Sequence, residues 1–326
     1  MSDDCNLLAN AYRHSTMGSD IVIVRVGEAS VDFSVHKDIL FSASRYFHRA
    51  WDRSFLGVKE RIVTIRDVSE ATFRIFLAWC YSQCLPGSAH LDVLVPPSQT
   101  PQDSGRRTSK RMFDEYVSGK SPYLRKLAPE DVDKRYHSNP SWHATYQEVI
   151  KTLVRLYVFA HKYSIHQLGD DVMTTYMGYC VSYGLYPDAD DADIIELAYA
   201  NLPPNSSLAR YFVLSTVYFW TPLKATLESG KLDRLHRRFI QDVMTAQAQR
   251  GQPPNRGETT ATKLVPSLAR YGLRDSCVFH EHAGTSEHEC RSRMISSKFV
   301  FDGLLDACVK EARLALSNVT RRSSGS

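Results

Sequence analysis

From Asp20 to Val35 the chain reads Ile-Val-Ile-Val-Arg-Val, then a turn at Gly27-Glu28, then Val31, Phe33 and Val35 at alternate positions. A short β-branched run bounded by turn chemistry forms a strand, and period-two alternation marks a second strand with one buried face. The stretch is a β-hairpin that opens a domain. From Lys37 the period changes to helical, with Ile39, Leu40, Ala43 and Phe47 on one side, and Arg61 to Ile65 returns to a short strand. Phe73, Phe76, Leu77 and Cys80 follow at i, i+3, i+4 and i+7, the stripe of an amphipathic helix. Strands and helices interleave over this first region, which is α+β in class.

Pro86 to Thr145 has another character. Pro96-Pro97, Pro101, Gly105, Gly119, Pro122, Pro129 and Pro140 are spread among Ser, Thr, Arg and Lys without an apolar period, which is loop chemistry. Helical stripes resume at Tyr146 with Ile150, Leu153, Val154 and Tyr157, and continue in a second helix with Val172, Tyr176 and Tyr179. Asp193 is placed to cap a helix through Ile194, Ile195 and Ala198 that ends at Pro203-Pro204, and Leu208–Phe219 and Leu232–Val243 are further helices. Arg250 to Thr262 is a second linker. Phe301, Leu304, Leu305, Cys308, Ala312 and Ala315 then form the apolar face of a last helix before a polar tail. The expected organisation is a flexible start over 1–18, one domain over 19–85 and 146–183, a flexible insertion over 86–145, and a helical extension over 184–249. A linker over 250–264, a Cys/His segment with the final helix over 265–318, and a disordered tail over 319–326 complete it.

Bulk properties narrow the function. A chain of 326 residues exceeds one average domain. Its 43% hydrophobic and 23% charged content is that of globular proteins. A net charge of +4 is too small for the field of a dedicated nucleic-acid binder, so nucleic acid is not the expected partner. The start Met1-Ser-Asp-Asp4 has no signal-peptide pattern, and no apolar run reaches the ~18 residues that span a bilayer. An intracellular place, in cytoplasm or nucleus, is the expectation. The seven cysteines are odd in number and scattered, which favours reduced thiols. No Gly-rich phosphate loop, G-x-S-x-G elbow, H-E-x-x-H or kinase set is present, and a non-enzymatic protein is expected.

Three ordered stretches carry a resemblance. Asp20–Val26 with Phe33-Ser-Val-His36-Lys37-Asp-Ile-Leu40 and Ser44-Arg-Tyr46-Phe47 comes first. Ile62-Val-Thr-Ile-Arg-Asp67 with Phe73–Tyr81 comes second, and Leu156–Leu168 third. Together they resemble a BTB/POZ domain. Leu156-Tyr-Val-Phe-Ala160-His-Lys-Tyr163, then Ala198–Asn201 and Pro204–Arg210, are most similar to fungal members of that family. The resemblance implies a BTB/POZ fold, a small sheet flanked by a helical cluster, followed by a mostly α-helical C-terminal region. It also implies a protein-interaction module that forms a homodimer and recruits partners, with a role as adaptor between a cullin ubiquitin-ligase scaffold and an unknown protein substrate. Val58-Lys59-Glu60 resembles the apolar-x-acid signature through which some members engage the cullin.

Other residues divide into core and chemistry. His36 has no partner at a motif spacing and reads as a structural hydrogen-bonding residue. Phe73, Phe76, Trp79 and Tyr81 have the spacing of core packing rather than of a binding platform. Cys277, His280, His282 and Cys290 are the strongest chemical set, two soft and two borderline ligands of the kind that close around a structural zinc, with His288 as a spare. Arg106-Arg107, Lys110-Arg111 and Arg321-Arg322 read as solvated charge. The competing reading, a zinc-stabilised transcriptional regulator associated with nucleic acid, would draw on these basic pairs and the Cys/His set.

Overall fold

In the computed structural model, which describes residues 20–54, 62–84, 140–183, 185–220, 230–250 and 272–323, the β-branched run forms β1 (Ile21–Val26) and the alternating segment forms β2 (Val31–His36). They pair antiparallel, with Val24 opposite Phe33. Gly27 turns the chain at φ +75°, and a Cβ there would stand 3.4 Å from the Val68 carbonyl oxygen, so a residue free to adopt left-handed backbone is needed. A third strand, β3 (Ile62–Ile65), pairs parallel to β1, which makes β1 central in the order β2-β1-β3. A parallel pair requires a crossover, and α1 (Lys37–Ala43) and α2 (Arg45–Ser54) lie on it. Alternation buries Val22, Val24 and Val26 with Val35, Val63 and Ile65, and leaves Ile21 and Ile23 on the opposite face.

The helices follow from their apolar stripes. They are α3 (Glu70–Cys84), α4 (Pro140–Lys162), α5 (His166–Tyr183), α6 (Ala192–Asn201), α7 (Ser207–Phe219), α8 (Arg237–Arg250), α9 (Glu287–Ser296) and α10 (Lys298–Ser323). Several starts differ from the sequence reading for identifiable reasons. Helix α4 begins at Pro140 rather than Tyr146: proline at the first helical position loses nothing, because its missing N–H would have no intrahelical acceptor. Asp191, not Asp193, occupies the cap of α6, and Asp193 sits in the first turn within 3.4 Å of Arg234. Leu232 falls in a 3-10 turn, Lys231–Arg234, ahead of α8. Residues 319–323, expected in a disordered tail, continue α10 as helix.

The described residues divide into two units. Those before 85, with 144–175 and 282–323, form the first; 140–143 and 176–281 form the second. The final segment is therefore not a separate piece: α10 packs on α3 in the first unit, burying Phe301, Leu304, Cys308 and Ala312. There Arg74 Nε donates to Glu311, 3.0 Å away, although the two are far apart in the chain. The core of this unit is aromatic. Phe47 stacks on Tyr163 and Phe76, and Phe159 lies 5.0 Å from Phe76 between ring centroids. Phe73, Phe76 and Trp79 are buried, as the helical spacing implied, whereas Tyr81 is half-buried. His36 Nδ1 stands 2.7 Å from the Tyr81 hydroxyl, a structural hydrogen bond that ties β2 to α3.

The second unit centres on α7, whose residues from Leu208 to Val217 are buried apart from Arg210. Ser206 caps it, its side chain accepting from the Ala209 N–H. Tyr211 meets Tyr176 edge-on at 5.9 Å and Phe279 at 5.2 Å, and the Arg210 guanidinium lies over the Phe279 ring. On α6, Tyr199 packs edge-on against Phe239 of α8 and donates its hydroxyl proton to Asp242 at 2.9 Å.

One contact in the first unit sets a pH response. Asp67, just after β3, accepts from the Lys162 ammonium and, at 3.2 Å, from the Tyr163 hydroxyl. Partial burial pushes its carboxyl up, but the hydrogen bonds and charge of Lys162 outweigh burial and hold it below the usual carboxylate range. A carboxyl whose folded pKa is depressed stabilises above its unfolded value, and that contribution fades as pH falls through the folded one. Asp67→Asn should therefore flatten the loss of stability below about pH 4, where a free Asp titrates, in a melting-temperature series against pH. Both partners of the Lys162 pair are half-exposed, so the effect is small. An acid limb identical in parent and variant would show that Asp67 contributes nothing there.

Candidate metal centre and interaction face

The segment from Gly272 to Ser296 is built by capping. Asp275 accepts from the Cys277 N–H at 3.1 Å and starts a 3-10 turn, Ser276–Phe279, that buries Cys277 and Phe279. Phe279 is seated against Tyr211 of the second unit. His280 follows as the residue that ends the turn, its N–H donating to the Cys277 carbonyl. His282 then adopts left-handed backbone at φ +49°, a conformation uncommon outside glycine, and Gly284 takes φ +82°. These two residues reverse the chain into α9.

Helix α9, which carries His288 and Cys290, is absent from the sequence reading. The signal was present in Ser286-x-x-Glu289, a capping box. The Ser286 side chain accepts from the Glu289 N–H, and the Glu289 carboxylate accepts the Ser286 N–H at 2.8 Å. That hydrogen bond from the Ser286 backbone holds the Glu289 carboxyl below its ordinary range. Cys290 stands in the first turn of α9, buried, while His288 is exposed. Residues two apart on a helix point about 200° apart, as 3.6 residues per turn requires, so His288 cannot face the side that Cys290 faces.

One ligand atom from each of Cys277, His280, His282 and Cys290 lies within 4.8 Å of every other. These are the four residues picked out by type and spacing, and they come together within one continuous stretch. Cys277, His280 and Cys290 are buried and His282 is half-buried. Cys80, Cys180, Cys277, Cys290 and Cys308 are buried thiols outside any disulfide.

The residues chosen as a cullin contact, Val58, Lys59 and Glu60, lie outside the described residues, as do the pairs Arg106-Arg107 and Lys110-Arg111 and most of the 86–145 insertion. The strand reading of the first region missed which face of β1 is covered. Ile21 and Ile23 alternate with the buried valines of β1 and so stand on the solvent side of the sheet, 49% and 36% exposed. Beside them Arg25 donates to Asp32 across the antiparallel pair at 2.7 Å.

A second constellation had no signal in sequence. Asp171 on α5, 2% exposed in its side chain, accepts from Trp79 Nε1 of α3 at 2.8 Å and from Gln167 at 3.1 Å. It also accepts from Arg293 Nη2 of α9 at 2.7 Å.

A BTB/POZ domain family model matches residues 9–94. That span contains the hairpin, β3 and α3, which carry the first two stretches of the resemblance, while the third, Leu156–Leu168, lies outside it; the three-stranded sheet with its helices is a BTB/POZ domain and the region after it is mostly helical. BTB/POZ domains are protein–protein interaction modules that mediate oligomerisation and partner binding, and are not a catalytic family. No curated protein and no solved structure matches the chain. Among the described residues no helix is long and apolar enough to cross a membrane.

Proposed function

We propose that this chain is an interaction protein that self-associates through its BTB/POZ domain and recruits a second protein, serving as substrate adaptor on a cullin scaffold. The observation that carries self-association is the pair Ile21 and Ile23, two large apolar side chains exposed side by side on the central strand of the domain. Apolar side chains held on the solvent face of a sheet are stabilised when a partner removes them from water, by about 25 cal/mol per Å² covered. The cullin reading rests on Val58-Lys59-Glu60 and on the domain class. The resemblance of Leu156–Tyr163 and Pro204–Arg210 to fungal BTB/POZ proteins is what supports reading it as a fungal-type member. An intracellular location accompanies this role.

The test uses the full chain. A fragment ending at Tyr183 would lack α10 and bare the face of α3 that α10 covers. Sedimentation at micromolar concentration should give a dimer for the parent and a monomer for Ile21→Lys, Ile23→Lys. A parent that stays monomeric removes self-association. For the cullin contact, Glu60→Lys should abolish binding to a purified cullin N-terminal region without changing the sedimentation of the chain. Equal binding by both proteins removes that part.

A further inference from the structure

We propose that Cys277, His280, His282 and Cys290 bind one zinc ion in a closed, structural site. A tetrahedral ion bound by two sulfurs and two imidazoles holds its ligand atoms about 3.3 to 3.8 Å apart, given zinc bonds of about 2.0 to 2.3 Å. The four atoms here lie within 4.8 Å of one another, so side-chain rotations of about 1 Å close the tetrahedron. Two thiolates with two imidazoles select zinc over the hard cations that prefer oxygen. The same residue types serve iron–sulfur clusters, but there the imidazoles sit on a second iron, away from the sulfurs. The mutual closeness of all four atoms fits a single ion.

The backbone prepares this geometry independently of the ligand side chains. Asp275 fixes the turn that carries Cys277, and the left-handed residue His282 reverses the chain. The Ser286–Glu289 capping box fixes the start of the helix that carries Cys290. Binding replaces the two thiol protons, which leave to solvent, by two sulfur–zinc bonds, and the imidazoles donate from neutral nitrogens. With four protein ligands no position remains for water, so the ion has a structural role and no catalytic one. Cys290 is in the first turn of α9 and Arg293 lies one turn further on, so the ion would anchor the helix that delivers Arg293 to Asp171.

The experiment is elemental analysis of the full chain, freshly purified without chelator, followed by replacement of the bound ion with Co²⁺. About one zinc per chain is expected, and the cobalt form should show thiolate-to-cobalt charge transfer with the visible absorption of a tetrahedral site. Cys277→Ser, Cys290→Ser should lose both signals, and His288→Ala, altered on the other side of α9, should keep both. A parent chain that carries no zinc and gives no tetrahedral cobalt spectrum overturns the proposal. So does a double serine variant that still holds one ion per chain. Should the double variant fail to fold, the parent's metal content and cobalt spectrum decide alone. None of these readouts depends on whether the chain dimerises, so this inference stands or falls apart from the partner reading.

Discussion

Asp171→Leu should lower the stability of the chain by about 4 kcal/mol, because removing one member of a buried charged pair typically costs about 3–5 kcal/mol. The Asp171 carboxylate is the acceptor for the Trp79 indole N–H, the Gln167 amide and the Arg293 guanidinium. Leucine, with the same branched shape and no acceptor, leaves all three donors without it. Trp79 is buried, so water cannot take over the acceptor role for its indole N–H, and the Arg293 side chain, 26% exposed, is only partly open to water. A second comparison separates the charge from the packing. If the penalty comes from the stranded guanidinium, Asp171→Leu with Arg293→Met should be less destabilised than the sum of the single variants, since the apolar pair leaves no unpaired charge. Urea denaturation of the four proteins checks this. Strict additivity would mean that the two residues do not act on each other, and a loss under about 1 kcal/mol for Asp171→Leu would mean that the site is wetter than its burial indicates.

Phe47→Ala should cost about 4 kcal/mol, within the range of about 3–5 for a buried aromatic. Phe47 has no exposed surface. Its ring stacks on Tyr163 at 5.6 Å and 10°, and on Phe76 at 5.9 Å and 19°, while Phe73 meets it edge-on at 6.4 Å. Its removal opens a void at the point where α2, α3 and the end of α4 meet, and the stiff rings around it cannot collapse to fill the space. Tyr46 is the control: adjacent in sequence, it is 42% exposed, so Tyr46→Ala should cost about 1 kcal/mol or less even though its ring touches Tyr163. Equal losses in the two variants would contradict the placement of Phe47 at the centre of this core.

Local pattern determined a good deal of this protein. The β-branched run and the alternation after it specify β1 and β2, because side chains two apart on a strand share a face and one face must be buried. The i, i+3, i+4 stripes of Phe73–Cys80 and Phe301–Cys308 specify α3 and α10, because helix formation and the burial of one face depend on near neighbours. Residue type and close spacing also picked out Cys277, His280, His282 and Cys290, since thiols and imidazoles are few and their softness does not depend on the fold. Only the tertiary structure decided which distant pieces meet. That β3 lies parallel beside β1, that α10 returns to cover α3 through Arg74 and Glu311, and that Asp171 receives Trp79 and Arg293 are contacts between residues dozens to hundreds of positions apart. A periodic pattern states that a face is buried and not what buries it. The same limit separates His288 from Cys290: their spacing is ambiguous in a loop, and becomes two opposite directions once the Ser286 cap winds them into a helix.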